Sequence, residues 1–502
     1  MFKKDIKEIT NDINSELTVY NLKNILMKSN DINLKEISIN KNLKGTLIFI
    51  DGLVDVKSIS EYIIEPLTQM HRFTESKTEQ EVIALIREGT LTYSSQTERN
   101  TLKDTINDIL SGNAALLFHE KNIAFIFDVK GFEKRSVTEP TDENVIKGSR
   151  DVFVETLRVN TATVRRKIKS PNLVLEGIVL GEQTQTSVSI IYMSNIANKD
   201  LLKELKQRLS RIKIDAVLSL NSITDYIVDK KLTAFPQIIN TERPDKFCSN
   251  IIEGRIGIII DGLPMSLIIP GTFIQFIQAT EDYSQNYIIS SILRFMRVIL
   301  IFTTLLLPGF YISVISFHHE MIPIELALSI SSSDKYVPFP PFIEVLLLLI
   351  AFEVLMEAGL RLPKSIGQAV SIVGAIVVGQ AAVDAKLVSP AVVIAISVTA
   401  IANYTVPNQD LSNAIRLWRF IIAILSSILG LMGLSLGSLI LLYHLCSIEC
   451  FGVPYLSPFV SGRDDEFGDT LFRLPVYLLK NRPSNLNTLN KKRIGQSGSD
   501  TL

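Results

Sequence analysis

Residues 336–407, YVPFPPFIEVLLLLIAFEVLMEAGLRLPKSIGQAVSIVGAIVVGQAAVDAKLVSPAVVIAISVTAIANYTVP, constrain this chain more than any other stretch. They hold three uncharged or nearly uncharged runs, each about the 20 residues a helix needs to cross a bilayer. One run carries glutamates. A carboxylate in hydrocarbon is costly unless it is paired, protonated or turned towards a polar interior, so Glu344, Glu353 and Glu357 each need a partner or a role. Glu353, Glu357 and Arg361 recur at steps of four and share one helical face.

With 47% hydrophobic and 21% charged residues over 502 positions, the chain is too apolar to be wholly soluble and too charged to be membrane throughout. Charged residues crowd the first half, whereas uncharged runs begin near Val298 and stop near Tyr443. The expected fold is therefore an α/β soluble N-terminal region followed by an α-helical polytopic membrane domain. A net charge of -1 argues against a nucleic-acid surface, and three cysteines make no disulfide framework. The start, MFKKDIKEITND, lacks an apolar run after its positive charge and does not read as a secretory signal, which places the soluble half in the cytoplasm.

Along the chain, residues 1–42 read as a flexible arm rich in Lys, Asn and Asp. A first α/β subdomain over 43–135 contains the strand TLIFID, helical patterns from Val56 and in EVIALIREG and TLKDTINDILSG, and the hairpin AALLF/IAFIF. A second, over 136–285, repeats the order with TSVSIIYMS, the amphipathic KDLLKELKQRLSRI, and the hairpin RIGIIID/MSLIIPG. The two subdomains are expected to be related. Residues 286–450 should form five to six membrane helices, with runs at 298–317, 342–360, 365–383, 387–407 and 420–443, and residues 451–502 a cytoplasmic tail. Arg294 and Arg297, Arg361 and Lys364, and Arg416 and Arg419 flank alternate ends of these runs, as a cytoplasmic N-terminal half requires. Gly430, Gly433 and Gly437 mark either a break in the last run or a GxxxG helix contact.

No catalytic constellation is present: no P-loop, nucleophile elbow, HExxH or dinucleotide fingerprint, so neither an enzyme, a cofactor nor a metal site is expected. His318, His319 and Glu320 read as interfacial polar residues. Glu357 and Arg361 either neutralise each other or serve the interior, and Glu353, deeper, pairs with another helix or faces a hydrated cavity. Pro338, Pro340 and Pro341 start the second membrane helix. In the third run Gln368, Ser371, Ala375, Val378 and Ala382 fall on one stripe. That stripe suits a pore lining with a constriction at Val378; equally, Gly367, Gly374 and Ala381 suit close helix packing.

The runs ETLRVNTATVRRKIKSPNL, FPQIINTERPD, EGRIGIIIDGLP, FHHEMIPIELALSI, PFPPFIEVLLLLIAFEVLMEAGLRLPKSIGQAVSIVGAIVVGQAA and HLCSIECFGVPYLSPF resemble the A subunit of the GerA-type spore germinant receptors, from about residue 46 to 457. Where the family often has Gly-Pro before the ETLR run, this chain has Gly148, Ser149 and Arg150. The resemblance implies a multi-pass protein of the spore inner membrane that works with a transporter-like B subunit and a lipoprotein C subunit to trigger germination. It also implies self-association, as a pentamer, into a nutrient-gated cation channel. A secondary transporter using Glu353 or Glu357 as a proton relay, or a signalling scaffold, are the alternatives.

Overall fold

A computed structural model of the chain describes residues 15–91, 95–131, 143, 147–361, 379–460 and 467–493, without the side chains of 360 and 361. Two compact units result. One comprises Met1–Val228, Ile238–Pro270 and Lys480–Leu502, the other Asp229–Gln237 and Gly271–Leu479.

The first unit is built twice on one plan. Its first repeat runs α1 (Val19–Leu26), β1 (Ile32–Ser38), β2 (Lys44–Ile50), α2 (Glu79–Arg87), β3 (Gln96–Arg99), α3 (Leu102–Leu110), β4 (Ala114–Phe118) and β5 (Ile123–Phe127). The second runs α4 (Leu157–Lys167), β6 (Leu173–Leu180), β7 (Thr186–Met193), α5 (Lys199–Ser210), β8 (Ile239–Thr241), α6 (Pro244–Glu253), β9 (Ile256–Ile260) and β10 (Ser266–Ile269). The strand orders, β1-β2-β4-β5-β3 and β6-β7-β9-β10-β8, are the same topology, and every strand pairing in both is antiparallel.

The central strands are short continuous apolar runs because both sheet faces are covered. Leu47, Phe49, Leu116 and Phe118 point into one core with Val82, Ile83 and Ile86 of α2. Their neighbours Ile48, Ile50, Ala115 and Leu117 point into another with Leu22 and Leu26 of α1 and Ile106 and Ile109 of α3. Helix starts follow from caps: the side chains of Thr18, Thr78 and Thr101 accept from Asn21, Glu81 and Asp104 backbone N–H groups. In α6, Pro244 opens the helix and Gly254, at φ 107°, closes it.

One expectation is corrected here. The span expected as a flexible arm supplies α1 and β1; β1 pairs with β2 along its whole length, and Leu22, Leu26 and Ile32 are buried. The end of the span expected as a cytoplasmic tail packs on the first unit. Leu489 N–H donates to Ile196 C=O at 2.9 Å, Arg493 pairs with Glu253 at 2.5 Å, and Arg482 Nε donates to Ile252 C=O at 3.0 Å, all within the first unit.

The second unit consists of α7 (Tyr287–Phe317), α8 (Ile324–Asp334), α9 (Pro341–Arg361), α10 (Pro390–Asn403), α11 (Gln409–Leu429) and α12 (Leu431–Cys446). Ile312 of α7, Val345, Leu348 and Leu349 of α9, and Val392 and Ile396 of α10 form its core. Gly430, at φ 58° and ψ -138°, breaks the last apolar run into α11 and α12. Gly433 and Gly437 then face α11: a Cβ on Gly433 would lie 2.0 Å from Leu425 O, and one on Gly437 3.1 Å from Ile422. The break and the small-residue contact thus occur together. The segment after α12 folds on the same unit, with Tyr455 fully buried among Phe235, Phe273 and Phe276.

Candidate functional site

Pro340 C=O accepts from the backbone N–H groups of Ile343 and Glu344, and Pro341 is the first residue of α9, a position where the missing proline N–H has no cost. Pro338 lies in the extended chain before it. From this start α9 carries Glu344, Glu353 and Glu357 in turn.

Glu353 meets α11. Its Oε2 accepts from Arg416 Nη1 at 2.6 Å and its Oε1 from Arg419 Nη2 at 2.8 Å. Arg416 and Arg419 are three apart and so share a face of α11. Depth along the helices agrees. Glu353 is eight residues from the end of α9 and the arginines seven and ten from the start of α11, or about 12 Å against about 10 and 15 Å at 1.5 Å per residue. Arg419 is only 4% exposed at its side chain, and its guanidinium also lies 5.6 Å from the Phe420 ring centre. Arg416 donates in addition to Asn413. The Nε groups of both arginines are buried without a hydrogen-bond partner, so Glu353 is the anion that holds two guanidinium groups in place.

Sequence reasoning did not find this pairing. Arg416 and Arg419 were read as flanking charges that set orientation, and the signal available was their spacing of three. Arg294 and Arg297 repeat the pattern: Arg294 Nε lies 3.2 Å from Asp282 and its Nη1 2.9 Å from Asp469, and Arg297 Nη1 lies 3.1 Å from Asp282. Both pairs of basic flanks are spent on internal ion pairs.

The remaining residues singled out in the sequence are dispersed. Glu344 is 1% exposed, and its Oε2 accepts from Ser389 N–H at 2.7 Å. Glu357 lies on an exposed part of α9, and the side chain of Arg361 lies outside the described residues. Of the stripe, Gln368, Ser371, Ala375 and Val378 also lie outside them, and Ala382 is buried in the core with Val388 and Ile396. Among the described residues no group of three or more His, Cys, Asp or Glu side chains could hold a metal ion.

The first unit has a cavity of about 490 Å³ between its repeats, lined by Asp55, Lys57 and Lys130 from the first and Arg158, Thr163 and Arg166 from the second. The Ser58 hydroxyl hydrogen bond, opposed by partial desolvation and aided by the Lys57 and Ser58 N–H groups, holds the Asp55 carboxyl below its usual range. Beside the cavity the repeats pack tightly, since a Cβ on Gly52 (φ 80°) would lie 3.1 Å from Ala162. Four basic groups and one carboxylate around such a volume suit a small polar solute.

The repeated α/β unit, the apolar helical unit and the Glu353 cluster define the class, which comparison makes specific. The chain belongs to the Bacillus/Clostridium GerA spore germination protein family, whose model matches residues 20–485. It is 40% identical to spore germination protein KA of Bacillus subtilis (strain 168) over 470 residues, covering 93% of this chain and 86% of that protein. It is 38% identical over 482 residues to the uncharacterized membrane protein YfkQ of the same organism, covering 95% and 92%. The crystal structure of the N-terminal domain of the A subunit of the Bacillus megaterium spore germinant receptor GerK3 is 31% identical and covers 52% of this chain and 98% of its own, with a TM-score of 0.41.

Proposed function

We propose that this chain is the A subunit of a nutrient germinant receptor, crosses the spore inner membrane several times with its first unit on the core side, and acts non-enzymatically as an oligomeric, nutrient-gated cation channel. Its partners in this reading are a transporter-like B subunit, a lipoprotein C subunit and further copies of itself. Family membership supports the germination role.

For the membrane role, α7 with 31 residues and α11 with 21 are long and apolar enough to span. Large apolar side chains such as Phe302, Ile394, Ile401, Ile428 and Leu439 face outward from the helices, and one relative carries the name membrane protein. The carrying observation for signalling is the Glu353 cluster. A charged contact between α9 and α11 is stable in one packing and costly to break, so it can act as a latch between two helix arrangements. Both Glu353 oxygens are engaged by guanidinium groups, which leaves neither free for the proton relay a transporter would need.

Nutrient binding to a partner subunit then shifts α9 against α11, and a constriction at Val378 opens to monovalent cations. Reconstitution of the receptor subunits in liposomes tests this. Nutrient-dependent flux of K⁺ or Na⁺ is the expected outcome, and a nutrient-responsive receptor that moves no cation overturns it.

A further inference from the structure

Away from the Glu353 cluster, four oxygen-bearing side chains converge from four parts of the helical unit, with no cation among the described residues around them. Asp334 ends α8, Glu344 lies in the first turn of α9, Tyr311 lies in α7, and Ser389 is the residue before α10. Ser389 is 1% exposed. Its hydroxyl makes no capping bond to its own helix and no well-formed hydrogen bond, although it lies within polar reach of Asp334, Glu344 and Tyr311. Tyr311 Oη and Asp334 Oδ1 are likewise buried without a partner.

Donors and acceptors left open in one buried place are expensive, since each forfeits its hydrogen bonds with water. The two carboxylates interact with each other, and among the described residues no basic group contributes to the surroundings of either. The Lys386 head group lies 4.5 Å over the Tyr336 ring. Asp334 stands moreover at the last residue of α8, where the helix dipole and the unpaired carbonyls disfavour an anion and favour a cation. The Glu344 carboxylate is fixed beside Ser389 by the Ser389 N–H at 2.7 Å.

We propose that Asp334, Glu344, Tyr311 and Ser389 form a binding site for a monovalent cation of the Na⁺ or K⁺ type. Two carboxylates and two hydroxyls are hard oxygen ligands. Four protein oxygens leave the rest of the ion's shell to water, which suits a site weak enough to release its ion. Under the orientation given above, all four residues lie at the end of the helices away from the spore core. The proposal rests on the channel reading for its purpose, as an ion station at one mouth of the helical unit, but its test does not.

The test uses the full-length chain in detergent, with its apparent melting midpoint followed as N-methyl-D-glucamine is replaced by K⁺, Na⁺ or Ca²⁺ at constant ionic strength. K⁺ or Na⁺ should raise the midpoint by about 2–4 °C at saturation. Ser389→Ala, which leaves the Glu344 backbone bond in place, and Glu344→Gln should each weaken the half-saturating concentration by about tenfold or more. A midpoint indifferent to K⁺ and Na⁺, one that responds to Ca²⁺ alone, or a response undiminished in Ser389→Ala would each overturn the site. Flux failing while the cation shift persists would count against the channel and not against the site.

Discussion

Arg419 Nη2 lies 2.8 Å from Glu353 Oε1, joining helices whose residues are 66 positions apart in the chain. Among the described residues, that carboxylate is the anion paired with this guanidinium, whose side chain is 4% exposed. Removing one member of a buried pair typically costs about 3–5 kcal/mol, whereas replacing both by apolar groups is often neutral. Glu353→Gln should therefore lower thermal stability markedly, and Glu353→Leu with Arg416→Met and Arg419→Met should recover most of it without recovering the germination response. Melting curves and nutrient-triggered germination of spores carrying each variant check this. A stable but unresponsive triple variant is expected, because the latch is lost while the packing is kept.

A second buried arginine holds the repeats of the first unit together. Arg165 of α4 donates to Asp31 Oδ2 at 2.7 Å and Oδ1 at 2.9 Å, and to Ser29 Oγ at 2.6 Å. Beside it Asn30 N–H donates to Leu175 C=O at 2.8 Å. Arg165→Ala leaves Asp31 without its bidentate partner and should cost about 3–5 kcal/mol. Limited proteolysis of the intact protein should then cut near residues 27–31 at a protease level that spares the wild type.

Close backbone approach makes two glycines intolerant. A Cβ on Gly257 would lie 2.1 Å from Phe247 Cζ in the second core, and one on Gly433 2.0 Å from Leu425 O. Neither neighbour can yield: Phe247 is fully buried and the other atom is backbone. Alanine at either position should destabilise by about 1–3 kcal/mol or more. Gly177→Ala, whose Cβ would meet only Asn30 Nδ2 at 3.4 Å, should be within about 0.5 kcal/mol of wild type in the same denaturation series.

What the sequence made legible follows from which groups act locally. The hairpins AALLF/IAFIF and RIGIIID/MSLIIPG and the amphipathic α5 declared themselves because each is a short-range pattern with its own turn or period. The edge strands did not: β3 is QTER and β8 only three residues long. Such strands form because a neighbour offers unpaired N–H and C=O groups, a fact absent from their own composition. β1 is an edge strand too, and its INLKEIS buries only Ile32 and Ile37, one in each core, so it shows no alternation. At the candidate site, the glutamates stood out by type, but their partners lie 45 to 66 residues away and could only be found once the helices were packed.

Thiol reactivity follows from burial. Cys446 is exposed, while Cys248 and Cys450 are buried. Burial, slightly relieved by Lys167, pushes the Cys248 thiol up to about 12. At pH 8 its thiolate fraction is then about 10⁻⁴, and the thiolate is the reactive form. A maleimide or disulfide reagent should modify Cys446 within minutes and Cys248 only after unfolding, as peptide mapping by mass spectrometry reports. Rapid labelling of Cys248 in the folded protein would contradict its burial on α6.

The central claim is that helices of this chain gate a path for monovalent cations. Its most direct measurement is cation release from dormant spores carrying Val378→Ala at wild-type protein level, without nutrient. Truncating the constriction should yield leak of K⁺ or Na⁺ and spontaneous germination. Ion retention and dormancy indistinguishable from wild type would contradict the account.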